Sequence, residues 1–276
     1  MGSFLAAQMM AYPFRKKTGR RSLALGGGVL MIYFLLGGAH GIHAAETAGK
    51  ALPPAWDASS RAGAIAQGFQ PPPDRGVPGR REGGGTRSGN GIAGIRPTVL
   101  IPESNIGLTT LAQPILFVYV PAEVGGLTAE YLVANLTGDD PGKTTVILPA
   151  AAGVVGLPLP ASVPDLEPGD VYQWSISIVL DPQDRGRDIF MSGAIERVTP
   201  DTALQVQLAD LSIEAIAPLY AESGLWFDAL NILAILRSQE PTNAVWAQQW
   251  ETLLRSVDLG AIAPQPLRNE TLTPID

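Results

Sequence analysis

The chain has no cysteine, and its two histidines, His40 and His43, both lie within the first 45 residues. The missing cysteines exclude disulfides and thiolate nucleophiles. Once the chain is trimmed past His43, Ser-His-Asp and Cys-His catalysis and histidine-ligated zinc are excluded as well. Positive charge is scarce in the body: residues 98–276 hold seven Lys and Arg against 22 Asp and Glu, a net of −15. Such a surface repels phosphate backbones, so nucleic acid is not an expected partner, and the excess acid serves solubility.

Residues 1–45 lack acidic side chains altogether. Arg15, Lys16, Lys17, Arg20 and Arg21 precede an uncharged stretch over 22–39, and the small residues Ala44 and Ala45 stand just before Glu46. A basic region, an apolar region and a small-residue cleavage site, in that order, predict a secretory signal peptide over 1–45. The apolar stretch is long enough to span a bilayer as an uncleaved anchor. Its glycines at 26, 27, 28, 37 and 38 weaken a helix and favour cleavage. Arg20-Arg21-Ser22-Leu23 resembles a twin-arginine signal, with Gly19 where Ser or Thr is usual. Met9 and Met10 are alternative starts for translation. Export to the periplasm or beyond is the expectation, with membrane attachment if the leader is retained.

Residues 46–96 predict a disordered linker rich in Pro, Gly and Arg, because so few aliphatic side chains cannot offset chain entropy. Arg75, Arg80, Arg81 and Arg87 punctuate it. The Gly-Lys-Ser/Thr ending of a nucleotide-binding loop is missing, and no cofactor is expected. From 97 to 198 the pattern turns strand-like. In 171–180, Tyr172, Trp174, Ile176 and Ile178 alternate with Gln173, Ser175 and Ser177, the period of a half-buried strand. Further strands are predicted at 97–101, 115–120, 128–136, 144–148, 153–159 and 189–198, separated by Gly, Pro and Asp clusters. Short strands so spaced predict an antiparallel β-sandwich, jelly-roll or Ig-like.

A helical subdomain is predicted over 199–263. Thr199-Pro200-Asp201 suits a helix start, and 204–222 should be divided or kinked at Pro218. Residues 225–237 are apolar nearly all round and should be buried. Thr242 or Asn243 can cap a last helix carrying Trp246 and Trp250. Tyr220, Gly224, Ala229 and Pro241 fall at the spacings of one tetratricopeptide-like hairpin, whereas a solenoid needs about three. Residues 264–276 predict a flexible tail.

A further set of residues carries a family resemblance. It begins with Gly79-Arg80-Arg81, Gly83-Gly84-Gly85-Thr86-Arg87, Leu100-Ile101-Pro102 and Gly107-Leu108-Thr109-Thr110. It continues through Pro114-Ile115-Leu116-Phe117-Val118-Tyr119-Val120-Pro121, Ala129-Glu130-Tyr131, Leu166-Glu167-Pro168-Gly169 and Tyr172-Gln173-Trp174. Asp181-Pro182-Gln183-Asp184-Arg185, Gly193-Ala194-Ile195-Glu196-Arg197 and Gly224-Leu225-Trp226-Phe227-Asp228-Ala229-Leu230 complete it. In this order they resemble a cyanobacterial family of exported proteins, domain of unknown function nine-two-eight. The resemblance implies an exported sandwich-plus-helices protein and brings no established activity. Where the family often has a cysteine near the Gly-rich arm, this chain has Ser88-Gly89-Asn90, so no thiol role carries over.

Candidate site residues are few. Asp181, Asp184, Arg185 and Asp188 form the densest polar cluster after the sheet pattern. Oxygen ligands on a loop suit calcium, but the intervening arginines disfavour a cation, and a hydrogen-bonded corner is the better account. No metal is expected. Glu196 and Arg197 end a strand, and a buried Glu196 could pair with an arginine such as Arg185. Phe117, Tyr119, Tyr131, Tyr172 and Trp174 lie on predicted strands. Exposed, they would bind sugar or peptide; Tyr172 and Trp174 share parity with isoleucines and read as core.

The expected role is non-catalytic binding or assembly at the cell envelope, with an envelope protein or a glycan as a possible partner and no membrane contact beyond the leader. Two alternatives stand beside it. One is a glycan-active hydrolase, whose paired carboxylates would not require histidine. The other is a peptide-binding adaptor using a groove along 225–250.

Overall fold

Alternation in the sequence becomes layering in the computed structural model, which describes residues 68–73, 75–84, 96–136, 141–268, 272 and 275. The expected leader and residues 46–67 lie outside the described residues. Ten strands are β1 (Arg80–Gly84), β2 (Thr98–Val99), β3 (Ile106–Thr109), β4 (Ile115–Val120), β5 (Thr128–Asn135), β6 (Gly142–Ile147), β7 (Gly153–Pro158), β8 (Val171–Ile178), β9 (Ile189–Arg197) and β10 (Leu267–Arg268). Four helices lie between β9 and β10: α1 (Thr202–Asp210), α2 (Ile213–Glu222), α3 (Trp226–Gln239) and α4 (Ala244–Arg255). None is long and apolar enough to cross a membrane.

The strands make one mixed half-barrel sheet in the order β10-β7-β4-β2-β1-β9-β8-β5-β6, with β3 against β9. In β8, Tyr172, Trp174, Ile176 and Ile178 are buried and the residues between them face outward. Tyr131 of β5 and Met191 of β9 flank Ile176 in register, so the same face continues inward across three strands. All five strand aromatics weighed above, Phe117, Tyr119, Tyr131, Tyr172 and Trp174, are core. By contrast β4 is apolar without alternation because both its faces are covered. Phe117 meets Trp250 of α4 edge-on at 6.4 Å.

Two pairings, β3 with β9 and β10 with β7, run parallel, where turn-separated strands suggest antiparallel pairing throughout. Neither pair is joined by a hairpin, so turn geometry does not dictate its direction. Residues within the expected linker are also structured. Strand β1 has no apolar alternation of its own, and it joins the two wings of the sheet by pairing with β2 on one side and β9 on the other. Phe69 is buried, edge-on to Trp226 at 5.1 Å. Its N–H donates to Ser256 Oγ at 3.0 Å, and the Gln70 N–H donates to the Ala221 carbonyl at 3.0 Å. Within the expected tail, β10 extends the β7 edge, and the Ile275 N–H donates to the Thr145 carbonyl of β6 at 2.8 Å.

The first helix starts later than the sequence suggests. Asp201, not Thr199, is its cap, accepting the Leu204 N–H at 2.6 Å. The break in 204–222 falls at Leu211-Ser212, while Pro218 sits inside α2. Proline lacks the N–H that would reach back to the Glu214 carbonyl. Gln249 Nε2 of α4 donates to that carbonyl at 2.7 Å, which is how the helix tolerates it. Gly224, at φ +74°, makes the left-handed turn between α2 and α3, with Pro72 packed against it.

Helix α3 is buried from Trp226 to Leu236 and carries three polar anchors. The Trp226 indole N–H donates to the Leu100 carbonyl at 2.9 Å. Asn231 accepts the Ile115 N–H at 3.1 Å and donates to the Ile115 carbonyl at 3.0 Å. Asp228 accepts the Thr110 N–H at 3.0 Å and the Thr110 hydroxyl. Close approach of Phe227 to Gly107 completes this seam, since a β-carbon there would lie 2.5 Å from the Phe227 ring.

Candidate functional site

The register of the outer half of the sheet arranges its outward side chains in rows, because directly paired residues point to the same face. One row reads Phe190, Ser177, Glu130, Thr145 on β9, β8, β5 and β6. The next reads Arg80, Ser192, Ser175, Leu132, Lys143 on β1, β9, β8, β5 and β6. A groove of about 570 Å³ opens here between the segment leading into β1, the loop before β9 and the face itself. Phe190 and the hydroxyls of Ser177 and Ser192 line it, with Arg80, Arg185 and Asp188. Phe190 is 43% exposed, an aromatic ring on the outward face of a strand whose other face is core.

The loop 181–188 forms one wall of the groove. Asp181 Oδ1 accepts the Gln183 N–H at 2.9 Å, the local bond that favours Asp in turns. Its other oxygen lies 4.0 Å from Arg187 Nη1. Asp184 starts a short turn through its backbone: its carbonyl accepts the Arg187 N–H at 3.1 Å, and its carboxylate makes no capping bond. Arg185 divides its guanidinium between Asp188 Oδ2 through Nε at 2.7 Å and Glu130 Oε2 through Nη2 at 2.7 Å. The Asp188 side chain is only 9% exposed, and its Oδ1 is buried with no hydrogen-bond partner. Lys143 also donates to Glu130, at 3.1 Å. These two cations hold the Glu130 carboxyl below its usual range, and the Arg185 guanidinium is pushed up by its two carboxylates.

Glu196 and Arg197 are elsewhere. Glu196 is buried as expected, but its partner is Arg75 and not Arg185. The reason is distance: Asp188 precedes β9 and Glu196 nearly ends it, eight residues and roughly 26 Å apart at strand rise. Arg197 donates to the Leu166 carbonyl through Nη1 and to the Thr110 carbonyl through Nε at 3.4 Å, tying loops together. The structure thus places Arg185 and Asp188 at the groove, keeps Asp181 and Asp184 in the same loop but outside its lining, and leaves Glu196 and Arg197 in the frame. The sequence reading missed Phe190, Ser192 and Glu130, and took Arg80 as part of a basic tether. Parity could have found the first two, since Ile189 and Met191 are buried and their neighbours must face out.

Among the described residues no group of three or more His, Cys, Asp or Glu side chains is placed to hold a metal ion. At the groove the acids are instead bound to guanidinium and backbone donors. Asp228 is the one described carboxyl with its pKa raised, to about 6, because burial outweighs the hydrogen bonds from Thr110 and Thr109. It is fully enclosed in the sheet–helix seam, away from the groove.

A half-barrel carrying one open, hydroxyl-rich face and a tightly anchored helical layer defines a β-plus-α protein with a shallow surface site. The chain belongs to the family described as Domain of Unknown Function (DUF928), which matches residues 82–267 of 276. No curated protein matches the chain.

Proposed function

We propose that this is an exported, non-catalytic protein that binds or assembles at the cell envelope, and that the outer face of β9-β8-β5-β6 is its contact surface. The carrying observation is Phe190, held half-exposed among Ser177, Ser192, Arg80 and Arg185 at a groove of ligand size. The charge order of residues 1–45 supports export. In the same proposal the wings of the half-barrel serve as the two layers of a sandwich of jelly-roll or Ig-like kind. Helices α2 and α3 form one tetratricopeptide-like hairpin.

Two observations favour binding over hydrolysis. A general acid needs a raised pKa at an open cleft. Glu130, at the open face, is shifted the other way, and Asp228, shifted upward, is sealed inside. A peptide groove along 225–250 has less support, because α3 is buried from Trp226 to Leu236 and the cavity that Gly68 lines with α2, α3 and α4 holds only about 20 Å³.

Cell fractionation with intact-mass analysis tests export: the chain should be recovered outside the cytoplasm with an N-terminus near Glu46, and recovery of the untrimmed chain in the cytosol would refute it. Photo-crosslinking from position 190 in intact cells tests the surface. An envelope component should be captured there and lost from a control crosslinker at exposed Val206 of α1.

A further inference from the structure

The chemistry of the outer face selects among envelope ligands. Resting on the surface proposed above, we infer that the groove binds a neutral saccharide chain, with a sugar ring stacked on Phe190 and its hydroxyls bonded to Ser177, Ser192 and Asp188.

Four features of the face converge on this class. Phe190 offers a flat apolar surface to the C–H face of a ring, while Ser177 opposite it on β8 and Ser192 two residues along β9 present hydroxyls, which both donate and accept. Such alternation of one apolar platform with short polar groups complements a molecule that is itself apolar on its faces and hydroxylated on its rim. Asp188 Oδ1 is a carboxylate oxygen in the groove wall without a donor, and a sugar hydroxyl supplies one. Arg185, paired with both Asp188 and Glu130, is half-exposed on a long stem, and exchanging its bond to Asp188 for solvent would open that carboxylate to the entering hydroxyl.

Competing ligand classes fit less well. An anionic polymer would meet Asp188 in the lining with Glu130 beside it, both already paired with Arg185, so that Arg80 is left as the other lining cation on a chain whose residues 98–276 carry a net of −15. An extended peptide is usually captured by adding a strand to a free edge. The edge of β9 beside Phe190 is occupied by β1, and further along it by β3. The groove is therefore reached through a sheet face, where side chains and not backbone groups do the binding. About 570 Å³ is room for a short oligosaccharide.

The test is calorimetric titration of the secreted full chain with cellohexaose, maltohexaose, chitohexaose and, as an acidic comparison, oligogalacturonate. At least one neutral hexasaccharide should bind, more tightly than the acidic one. Phe190→Ala should weaken that binding about tenfold, as expected for loss of one ring stack. Ser192→Ala and Asp188→Asn should weaken it several-fold each, with circular dichroism unchanged. Binding by no neutral saccharide at millimolar concentration overturns the inference, as does full-strength binding by Phe190→Ala. Should sugars fail while position 190 still crosslinks an envelope protein, the saccharide assignment falls and the surface stands. Failure of both removes the surface as well.

Discussion

The helix seam and the outer face use the same kinds of side chain for opposite ends. In the seam, Asp228, Asn231 and Trp226 are buried and each points its polar atoms at a backbone group of the sheet or of the loops beside it. On the outer face, Glu130, Lys143 and Arg185 pair with one another in reach of solvent. A buried polar group left without a partner costs about 1–3 kcal/mol, so the seam specifies one docking of α3 and rejects others. An exposed pair contributes about 0–1 kcal/mol and fixes little. Stability is therefore concentrated in the seam, and the outer face is left adjustable.

Truncating the seam should hurt most. Trp226→Ala removes a fully buried indole, its bond to Leu100 and its contact with Phe69. The expected loss is about 4 kcal/mol in urea unfolding. A smaller stability change than that of Phe190→Ala would break the contrast.

Next comes a pH effect specific to the seam. The folded pKa of Asp228, about 6, lies above its unfolded value, so the folded state holds the proton more tightly. Its stabilisation is complete below about pH 4 and is lost as pH rises through about 6, amounting to on the order of 3 kcal/mol. Asp228→Asn should remove this loss. The stability of the wild type relative to the variant should fall across that window, and a constant difference would contradict the assignment.

Gln249→Leu strips the donor from the carbonyl that Pro218 leaves unpaired in α2, at an expected cost of about 1 kcal/mol. If the same substitution is neutral in a Pro218→Ala background, the coupling is real; an equal loss in both backgrounds would deny it. Smallest of all is Phe190→Ser, which should shift unfolding by less than about 0.5 kcal/mol while changing what the surface holds. A large destabilisation would make Phe190 a core residue after all.

Much of this contrast was legible in the sequence. The alternation over 171–180 pointed to a strand and its buried face, and the apolar run at 225–237 announced a covered helix. Strand β1 was not legible, because Arg80-Arg81-Glu82-Gly83-Gly84 contains no apolar period and is a strand only through its neighbours β2 and β9. Strand β3 was hidden by its four-residue length and by Gly107, whose reason is the ring of Phe227. The site divided in the same manner. The polar corner 181–188 stood out by density, whereas Phe190 resembled any core aromatic until its register placed it outside. The Glu196–Arg75 pair depends on a fold-back across more than a hundred residues that local pattern does not encode.

The arm formed by Phe69, Arg75 and β1 has a mechanical consequence. Tension applied upstream of Gly68 first meets Phe69, wedged beside Trp226, then the Arg75–Glu196 pair, and finally the ladder bonds of β1. The load is shared among successive fasteners, so a protein tethered through that end can be tugged without its sheet being the first thing to give.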